Sequence, residues 1–377
     1  MGSEATRDVV ATGREFTEIV VADLDLAKAE SFVASFKDRR LKATRVDATD
    51  VKALTKLIEG FDVVANCTTY HFGMNVTRAA IDARKSYLDL GGLYNTPKQL
   101  ALDEEAKKAG VTILLGCGAT PGVTNLMARY GASRMDKPRE VHVAFCSYRH
   151  LAPSPGLLDT ILDEFSPSTV RTYWENGEFV EVGPLTGAKQ VPFAAPLGPH
   201  EVFYVPHSET RTMPRFIEGV QRVDVRGCWR PEIMRSLRFF LDHGLLNTQA
   251  IEIKGASVGP KEFLRAHILS QPQPPEPGLW AFYLTVQVEG EHKGRKVQRT
   301  YQCSHPGMDR WQMTATARMT GIPASIGAQM LARGRAKTTG VVAPEVCFEP
   351  EEFFGELAKR GIHIHETVHE EGPVSIG

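Results

Sequence analysis

The chain of 377 residues has no apolar run approaching the roughly 20 residues that a membrane-spanning helix needs. Its opening residues, Met-Gly-Ser-Glu-Ala-Thr-Arg-Asp, also lack the apolar stretch of a secretory signal, so a cytoplasmic protein with no membrane partner is expected. Net charge is nearly absent too: 44 Lys plus Arg against 45 Asp plus Glu leave -1, and no long-range field steers nucleic acid toward the surface. Cysteine is sparse. Cys67, Cys117, Cys146, Cys228, Cys303 and Cys347 form no CxxC pair and have no His at ligand spacing, which argues against a zinc site or a disulfide framework. Internal repeats and low-complexity tracts are missing as well. What the chain does have is 42% apolar residues, enough for a large core, and a length that suggests two domains.

From residue 4 to about 130 the sequence alternates helix with short buried strand. Helices are expected at Glu4 to Thr12, Leu26 to Phe36, Val51 to Ile58, Asn75 to Ala83 and about Leu100 to Lys108. Strands are expected at Glu18 to Ala22, Ala43 to Val46, Val63 to Asn66, Ser86 to Asp89 and Val111 to Leu115. That rhythm belongs to an α/β domain of Rossmann type, a doubly wound parallel sheet, here set at residues 1–122. Beyond Pro121 the loops lengthen, and strand patterns at Val141 to Cys146, Leu279 to Val288 and Val297 to Cys303 suggest an α+β substrate and dimerisation domain over 123–318. A helix rich in small residues, Ala324 to Gly334, is expected to pack back on the first domain within a C-terminal segment of 319–377, which holds one more helix at Glu351 to Lys359.

The glycine-rich fingerprint of such a domain is itself mostly absent. In a dinucleotide-binding unit the first strand runs into G-x-G-x-x-G, and an acidic residue about 20 positions on holds the adenosine ribose. Asp23 closes the strand Ile19 to Ala22, which puts Gly2 in the place of the third glycine and makes Ser3 to Thr12 the phosphate-binding helix. The first strand has no counterpart in the chain, although it is central to the sheet and its loss leaves buried backbone groups unpaired. The expectation is therefore that about ten residues ending in a glycine-rich turn precede Met1 in the natural product. An upstream in-frame start codon supports this, and an immediate stop codon there contradicts it.

Asp23 favours NAD over NADP, since a carboxylate accepts both ribose hydroxyls and repels a 2′-phosphate. The alternative for Asp23 is capping of the helix that starts near Leu26, a role open to Asp25 as well. Asp47 is placed beside the adenine or, equally, in a surface turn. Chemistry belongs beyond the carboxyl ends of the strands, in the loops Asn66-Cys67-Thr68-Thr69-Tyr70-His71, Asp89-Leu90-Gly91-Gly92 and Gly116 to Gly122. Their glycines, Gly91, Gly92 and Gly116, let the backbone approach a cofactor beside Pro121. Asn66, Cys67 and Thr68 are placed to meet its ribose or carboxamide. The run after Gly91, Gly-Leu-Tyr-Asn, reads as a plain loop.

The segments Met-Gly-Ser-Glu-Ala-Thr-Arg-Asp-Val-Val, Val-Ala-Asp-Leu-Asp-Leu-Ala-Lys-Ala-Glu, Asp-Val-Val-Ala-Asn66, Tyr-Leu-Asp-Leu-Gly-Gly92 and Ala-Thr-Pro-Gly-Val-Thr-Asn125 together resemble the saccharopine dehydrogenase-like oxidoreductases, and within them the lysine 6-dehydrogenases. The resemblance runs on to Thr316-Ala-Arg-Met-Thr320 and covers almost the whole chain. It departs at Tyr204 to Thr212 and at Leu151 to Phe165. What it implies is a homodimeric NAD-dependent enzyme acting on the CH–NH₂ or C=N group of a small amino-acid substrate, lysine first. Reductive condensation of an amine with a carbonyl partner, as in saccharopine reductases and carboxynorspermidine synthases, and a non-catalytic nucleotide-binding homologue are the alternatives.

Oxidising an amine requires a neutral nitrogen, so a nearby group must take a proton. Tyr70, His71 and Asp89 are the candidates, set against an aromatic packing role, an exposed loop and helix capping, respectively. His207, Ser208, Glu209 and Arg211 form a dense polar cluster suited to the charged ends of an amino acid, or else a solvated turn. His363 and His365 alternate as in a strand and face solvent rather than a metal.

Overall fold

The computed structural model describes residues 1–92, 94–272, 280–306, 308–311 and 314–372. Leu93, in the expected loop after Gly92, and Leu279, the expected start of a strand, lie outside the described residues. The chain divides into two compact units. The first holds Met1–Tyr130, Arg211–Ile217 and Ala317–His363; the second holds Gly131–Thr210, Glu218–Thr316 and Ile364–Gly377. By sequence alone the divisions were set after 122 and 318, and a return crossing at 211–217 had no sequence signal.

The first unit is a parallel α/β fold. Its helices α1 (Gly2–Thr12), α2 (Leu26–Ala34), α3 (Val51–Ile58) and α4 (Gly73–Asp82) alternate with strands β1 (Ile19–Asp23), β2 (Leu41–Arg45), β3 (Val63–Asn66), β4 (Ser86–Asp89) and β5 (Thr112–Leu114). Local chemistry fixes the helix starts: Asp25 caps α2 by accepting from the Lys28 amide at 3.1 Å, and Asp50 caps α3 through the Ala53 amide at 3.0 Å. Each such cap is worth about 1 kcal/mol. On α3 the spacing Val51, Leu54, Ile58 turns one stripe inward, where Leu54 and Ile58 pack with Val76, Ala80, Tyr87 and Ile113 in the unit's core.

The parallel sheet is in two pieces. β1 pairs with β2, while β3, β4 and β5 form a second sheet that a strand not foreseen from sequence, Gly340–Val342, extends beside β5. β1 and β3 are not hydrogen-bonded to one another. The expected helix at Leu100 to Lys108 is instead two short ones, Thr96–Leu100 and Asp103–Ala109. The long helix Ala315–Ala332 begins earlier than its small-residue stretch and lies against α1. A Cβ at Gly321 would come within 2.7 Å of the Met1 carbonyl oxygen, so only glycine permits the approach. Polar pairs fasten the contact: Arg318 Nε to Glu4 Oε2 at 3.0 Å, Ser325 Oγ to Asp8 Oδ2 at 2.6 Å, and Gln329 Nε2 to Thr12 Oγ1 at 3.0 Å.

The second unit is built on a mixed nine-stranded sheet. Its strands are β6 (Lys137–Tyr148), β7 (Thr172–Glu175), β8 (Glu178–Glu181), β9 (Lys189–Phe193), β10 (Gly198–Tyr204), β11 (Arg222–Trp229), β14 (Ala281–His292), β15 (Arg295–Ser304) and β17 (His363–Glu371), where β12 (Ile251–Ile253) and β13 (Ala256–Val258) form a separate hairpin and β16 is Gly340–Val342. The order runs β17-β15-β14-β6-β11-β10-β9, with β7 paired to both β11 and β8. β6 lies parallel to β11 and antiparallel to β14. Alternation along β6 sends Val141, Val143 and Phe145 to one face; on the other, Ala144 and Cys146 join Val202, Cys228 and Tyr283 in a core cluster.

Candidate functional site

In the first unit a cavity of about 570 Å³ runs along the whole of β1 and the whole of β3. Its deep part is apolar, with Phe16, Phe32, Leu54 and Phe61 among its walls. Its polar rim brings together residues that are far apart in sequence: Gly2, Ser3 and Thr6 of α1, Asp23 at the end of β1, and Asn66, Cys67 and Thr68 after β3. Gly2, Asp23, Asn66, Cys67 and Thr68 are thus five of the residues expected to meet a cofactor, and they share one space. A Cβ on Gly2 would lie 3.1 Å from the Cys67 Cβ, a close approach of α1 to the β3 loop. Cys67 has its thiol pushed up by burial, which keeps it in the protonated, unreactive form.

Asp23 is not the cap of α2, since Asp25 takes that role; the Asp23 carboxylate accepts from the Asp25 amide at 3.0 Å. Asp47 is placed differently from one of its two expectations. Its Oδ1 accepts from the Thr49 amide and hydroxyl at 2.8 and 2.7 Å, bonds that hold its carboxyl below the usual range, and it is an exposed turn residue while its neighbours Val46 and Ala48 line the cavity. Residues that the sequence did not single out also border the space: Ala324, Ser325 and Ala328 of the helix Ala315–Ala332. Their only signal was the small-residue run.

A buried hydrogen-bond chain leads from this cavity to the glycine loops. Thr68 donates from both its amide and its hydroxyl to Asn66 Oδ1, and Asn66 Nδ2 donates to the Tyr87 hydroxyl at 3.1 Å. Tyr87 donates to Asp89 Oδ2 at 3.0 Å, and burial with the Asp89 charge beside it pushes its phenol well above the ordinary value. Gln99 donates to the same Asp89 oxygen at 2.8 Å and to Thr77 at 2.9 Å. The other oxygen, Oδ1, accepts the amides of Gly91 at 2.9 Å and Gly116 at 2.7 Å.

Asp89 is therefore a buried anchor whose two oxygens take four donors, rather than a free carboxylate facing a substrate. It ties the loop after β4 to the loop after β5. Gly91, at φ +90°, sits against Pro121, and a Cβ there would fall 2.5 Å from the Pro121 ring and 3.7 Å from the Gly116 Cα. Gly91, Gly116 and Pro121 are thus brought together as expected for one wall. Gly92 lies beside Tyr70, whose Cβ a Gly92 side chain would meet at 3.2 Å. Tyr70 is half-buried, its ring tilted 31° against that of His71 at 4.2 Å between centroids and edge-on to Tyr94 at 5.7 Å, while the Asn95 amide holds its carbonyl at 2.5 Å. His71 is exposed, with Nδ1 at 3.4 Å from the Thr69 hydroxyl.

The cluster His207-Ser208-Glu209 is not a solvated turn. In the second unit His207 lies with Nδ1 at 3.4 Å from Glu209 and Nε2 at 3.6 Å from Glu164, and the Glu209 side chain is fully buried. Burial opposes the imidazolium, but the two carboxylates overcome it and push His207 up to about 10. Buried Arg149 lies close enough to feel the Glu164 charge, its guanidinium pushed down to about 10 by burial, so two anions face two cations. The reason sequence misread this cluster is that Glu164 lies far upstream on the helix Pro155–Glu164. Arg211, lowered by burial, falls in the first unit and is partly exposed. His363 and His365 do lie on a strand, β17, and the His365 ring meets the Ser304 hydroxyl at 2.8 Å.

A parallel sheet with a carboxylate at the end of β1, a helix start beside it and glycine loops beyond β4 and β5 is the arrangement of a nicotinamide-dinucleotide oxidoreductase. Residues 1–114 match the saccharopine dehydrogenase NADP binding domain, and residues 118–362 match the saccharopine dehydrogenase C-terminal domain. The chain belongs to the saccharopine dehydrogenase family. It is 25% identical to carboxyaminopropylagmatine dehydrogenase of a Synechocystis species, across 94% of this chain and 92% of that one. It is 26% identical to carboxynorspermidine synthase of Vibrio alginolyticus over the same shares. A saccharopine dehydrogenase (L-Glu forming) from Saccharomyces cerevisiae shares the fold with a TM-score of 0.72 at 19% identity, covering 98% of each chain. None of these relatives is a lysine 6-dehydrogenase, the branch suggested by sequence, and the family's cofactor domain is described by NADP where Asp23 suggested NAD.

Proposed function

We propose that the protein is an NAD-linked oxidoreductase that makes or breaks the carbon–nitrogen bond of an amino-acid secondary amine, acting as a homodimer. The names of the two full-length relatives, a dehydrogenase of carboxyaminopropylagmatine and a synthase of carboxynorspermidine, support this over a simple lysine oxidation. The cofactor supplies a hydride acceptor or donor at its nicotinamide ring when bound. In the oxidative direction the substrate R₂CH–NH₂⁺R′ loses one proton and a hydride to become an iminium, and water then releases R₂C=O and R′NH₃⁺. The reverse joins amine and carbonyl and reduces the iminium.

The observation that carries the reading is the hydrogen-bond chain Asn66–Tyr87–Asp89, which locks the rim of the cavity to the glycine loops at the sheet's carboxyl end. The residues present fit a dinucleotide: Asp23 for the adenosine ribose, the start of α1 for a pyrophosphate, and the loops around Thr68, Gly91 and Gly116 for the nicotinamide end. Of the three proton-transfer candidates, Tyr70 is favoured because Asp89 is committed internally and His71 stands in solvent. A Tyr70→Phe variant should lose about 10²-fold or more in kcat with NADH affinity unchanged, and His71→Gln should lose far less. Equal losses in both would move the role away from Tyr70.

On cofactor choice the family description and the carboxylate disagree. Asp23 lines the cavity together with the cation Lys28, whereas Arg45, its register partner on β2, does not line it and turns its Nε to the Leu24 carbonyl. NADH should therefore bind at least about 10-fold more tightly than NADPH, the effect of a charge repulsion of about 1.4 kcal/mol, and Asp23→Asn should narrow the gap. Fluorescence titration with both nucleotides decides this; tighter NADPH binding by the unaltered protein would reverse the assignment.

A further inference from the structure

The sheet of the second unit carries, on one face, three side chains that no part of the proposed reaction uses. We infer that Glu140, His142 and Glu289 form a binding site for a divalent transition-metal ion. Glu140 and His142 are two residues apart on β6 and so point to the same face, and the antiparallel register sets Glu289 of β14 directly opposite Glu140. One ligand atom from each lies within 4.8 Å of the others, and His142 Nε2 is 3.1 Å from Glu140 Oε2. A rigid sheet therefore presents one imidazole nitrogen and two carboxylates at the spacing a single cation needs.

Two independent features point to a cation rather than to a merely acidic patch. The first is the like charge. Carboxylates directly opposite on neighbouring strands repel; among the described residues Glu140 has an ion pair only with His142, which is charged only when protonated, and Glu289 has none. Glu289 is met instead by the neutral Gln287 amide. The second is the orientation of the imidazole. His142 Nδ1 is 2.8 Å from Asp224 Oδ2, and the Asp224 side chain is fully buried on β11, directly across from His142 in register. Asp224 is itself fixed by Arg222 Nε at 3.1 Å and by Arg226. A carboxylate at Nδ1 orients the ring and leaves Nε2, the nitrogen beside Glu140, as the atom to ligate a metal, which is how metal-binding histidines are commonly supported.

Glu140 and His142 also line a polar cavity of about 470 Å³ that Lys189, Arg222 and Arg226 share, and these cations are able to hold an anionic co-ligand there. One nitrogen and two carboxylate oxygens suit Zn²⁺, Co²⁺, Mn²⁺ or Ni²⁺ better than a soft monovalent ion.

The test is titration of the metal-free protein with Co²⁺, followed by its visible absorption, and equilibrium dialysis with Zn²⁺. One ion per chain is expected. His142→Ala should weaken binding at least about 100-fold, and Asp224→Asn, which acts only through His142, by about 10- to 100-fold. Because Asp224 is buried and its variant can fail to fold, Glu289→Gln serves as a second removal, with circular dichroism confirming the fold of each. His365→Ala controls for the exposed histidines of β17 and should leave the binding unchanged. Absence of stoichiometric binding, or binding that survives both His142→Ala and Glu289→Gln, overturns the site.

Discussion

Replacing Asp89 by Ala is expected to cost about 4 kcal/mol of stability and to abolish turnover. The substitution removes the acceptor that the Tyr87 hydroxyl, the Gln99 amide and the backbone amides of Gly91 and Gly116 share. Each hydrogen bond to a charged group contributes about 1.5–3 kcal/mol, and each buried donor left without a partner costs about 1–3 kcal/mol. The four are not additive, since they share one carboxylate and can relax together, so their sum of about 4–12 kcal/mol is a ceiling and a cost of about 4 kcal/mol is expected. Asp89→Asn separates anchoring from charge. It keeps the volume and one acceptor oxygen but turns an NH₂ group toward donors, and it should fall between the wild type and Ala in urea denaturation. If Asp89 instead worked as a proton-transfer group, Asn would fold with wild-type stability and lose only kcat.

Glu209→Gln is expected to destabilise the protein by about 3–5 kcal/mol, the usual result of removing one member of a buried ion cluster. The same cluster sets a pH dependence. Its imidazolium, His207, has a folded value of about 10 against an unfolded value of 6.5, and faces Glu209 and Glu164, with Arg149 the cation on the far side of Glu164. A raised value means that the folded protein holds a proton which the unfolded chain releases. The stabilisation is complete below about pH 6.5 and is lost as pH rises toward about 10. Wild-type stability measured by denaturant should decline across that window, and Glu209→Gln, which removes the main charge holding the proton, should flatten the decline. An unchanged slope in the variant would show that His207 is not the group responsible.

The elements with strong periodic or capping chemistry were legible from sequence. The limits of α3, β3 and β4 follow from the runs Val51 to Ile58, Val63 to Asn66 and Ser86 to Asp89, and the start of α2 from Asp25, although that helix ends at Ala34, short of the expected Phe36. That Asp23, Gly2 and Asn66 share one space was foreseeable because strand ends and helix starts meet at one edge of a βα unit. What sequence could not show depends on contacts made by residues far apart in the chain. Gln99 reaches Asp89 from a separate helix, Glu164 reaches His207 across some forty residues of chain, and the strand Gly340–Val342 joins a sheet whose other members end by Leu114. Asp89 was misjudged for the same reason: a carboxylate at a strand end looks alike whether it faces a substrate or the backbone of the next loop. Glu140, His142 and Glu289 were invisible because only the β6–β14 register makes them neighbours.

The central claim, that this chain uses a nicotinamide cofactor on a carbon–nitrogen bond formed between two partners, is tested most directly by following NADH absorbance with an amine alone, a carbonyl compound alone, and both together. The account predicts NADH consumption only when an amino-acid amine and a carbonyl partner are both present, with a secondary amine as product. Consumption with no carbonyl partner, or NADH binding without turnover on any pair, would contradict it.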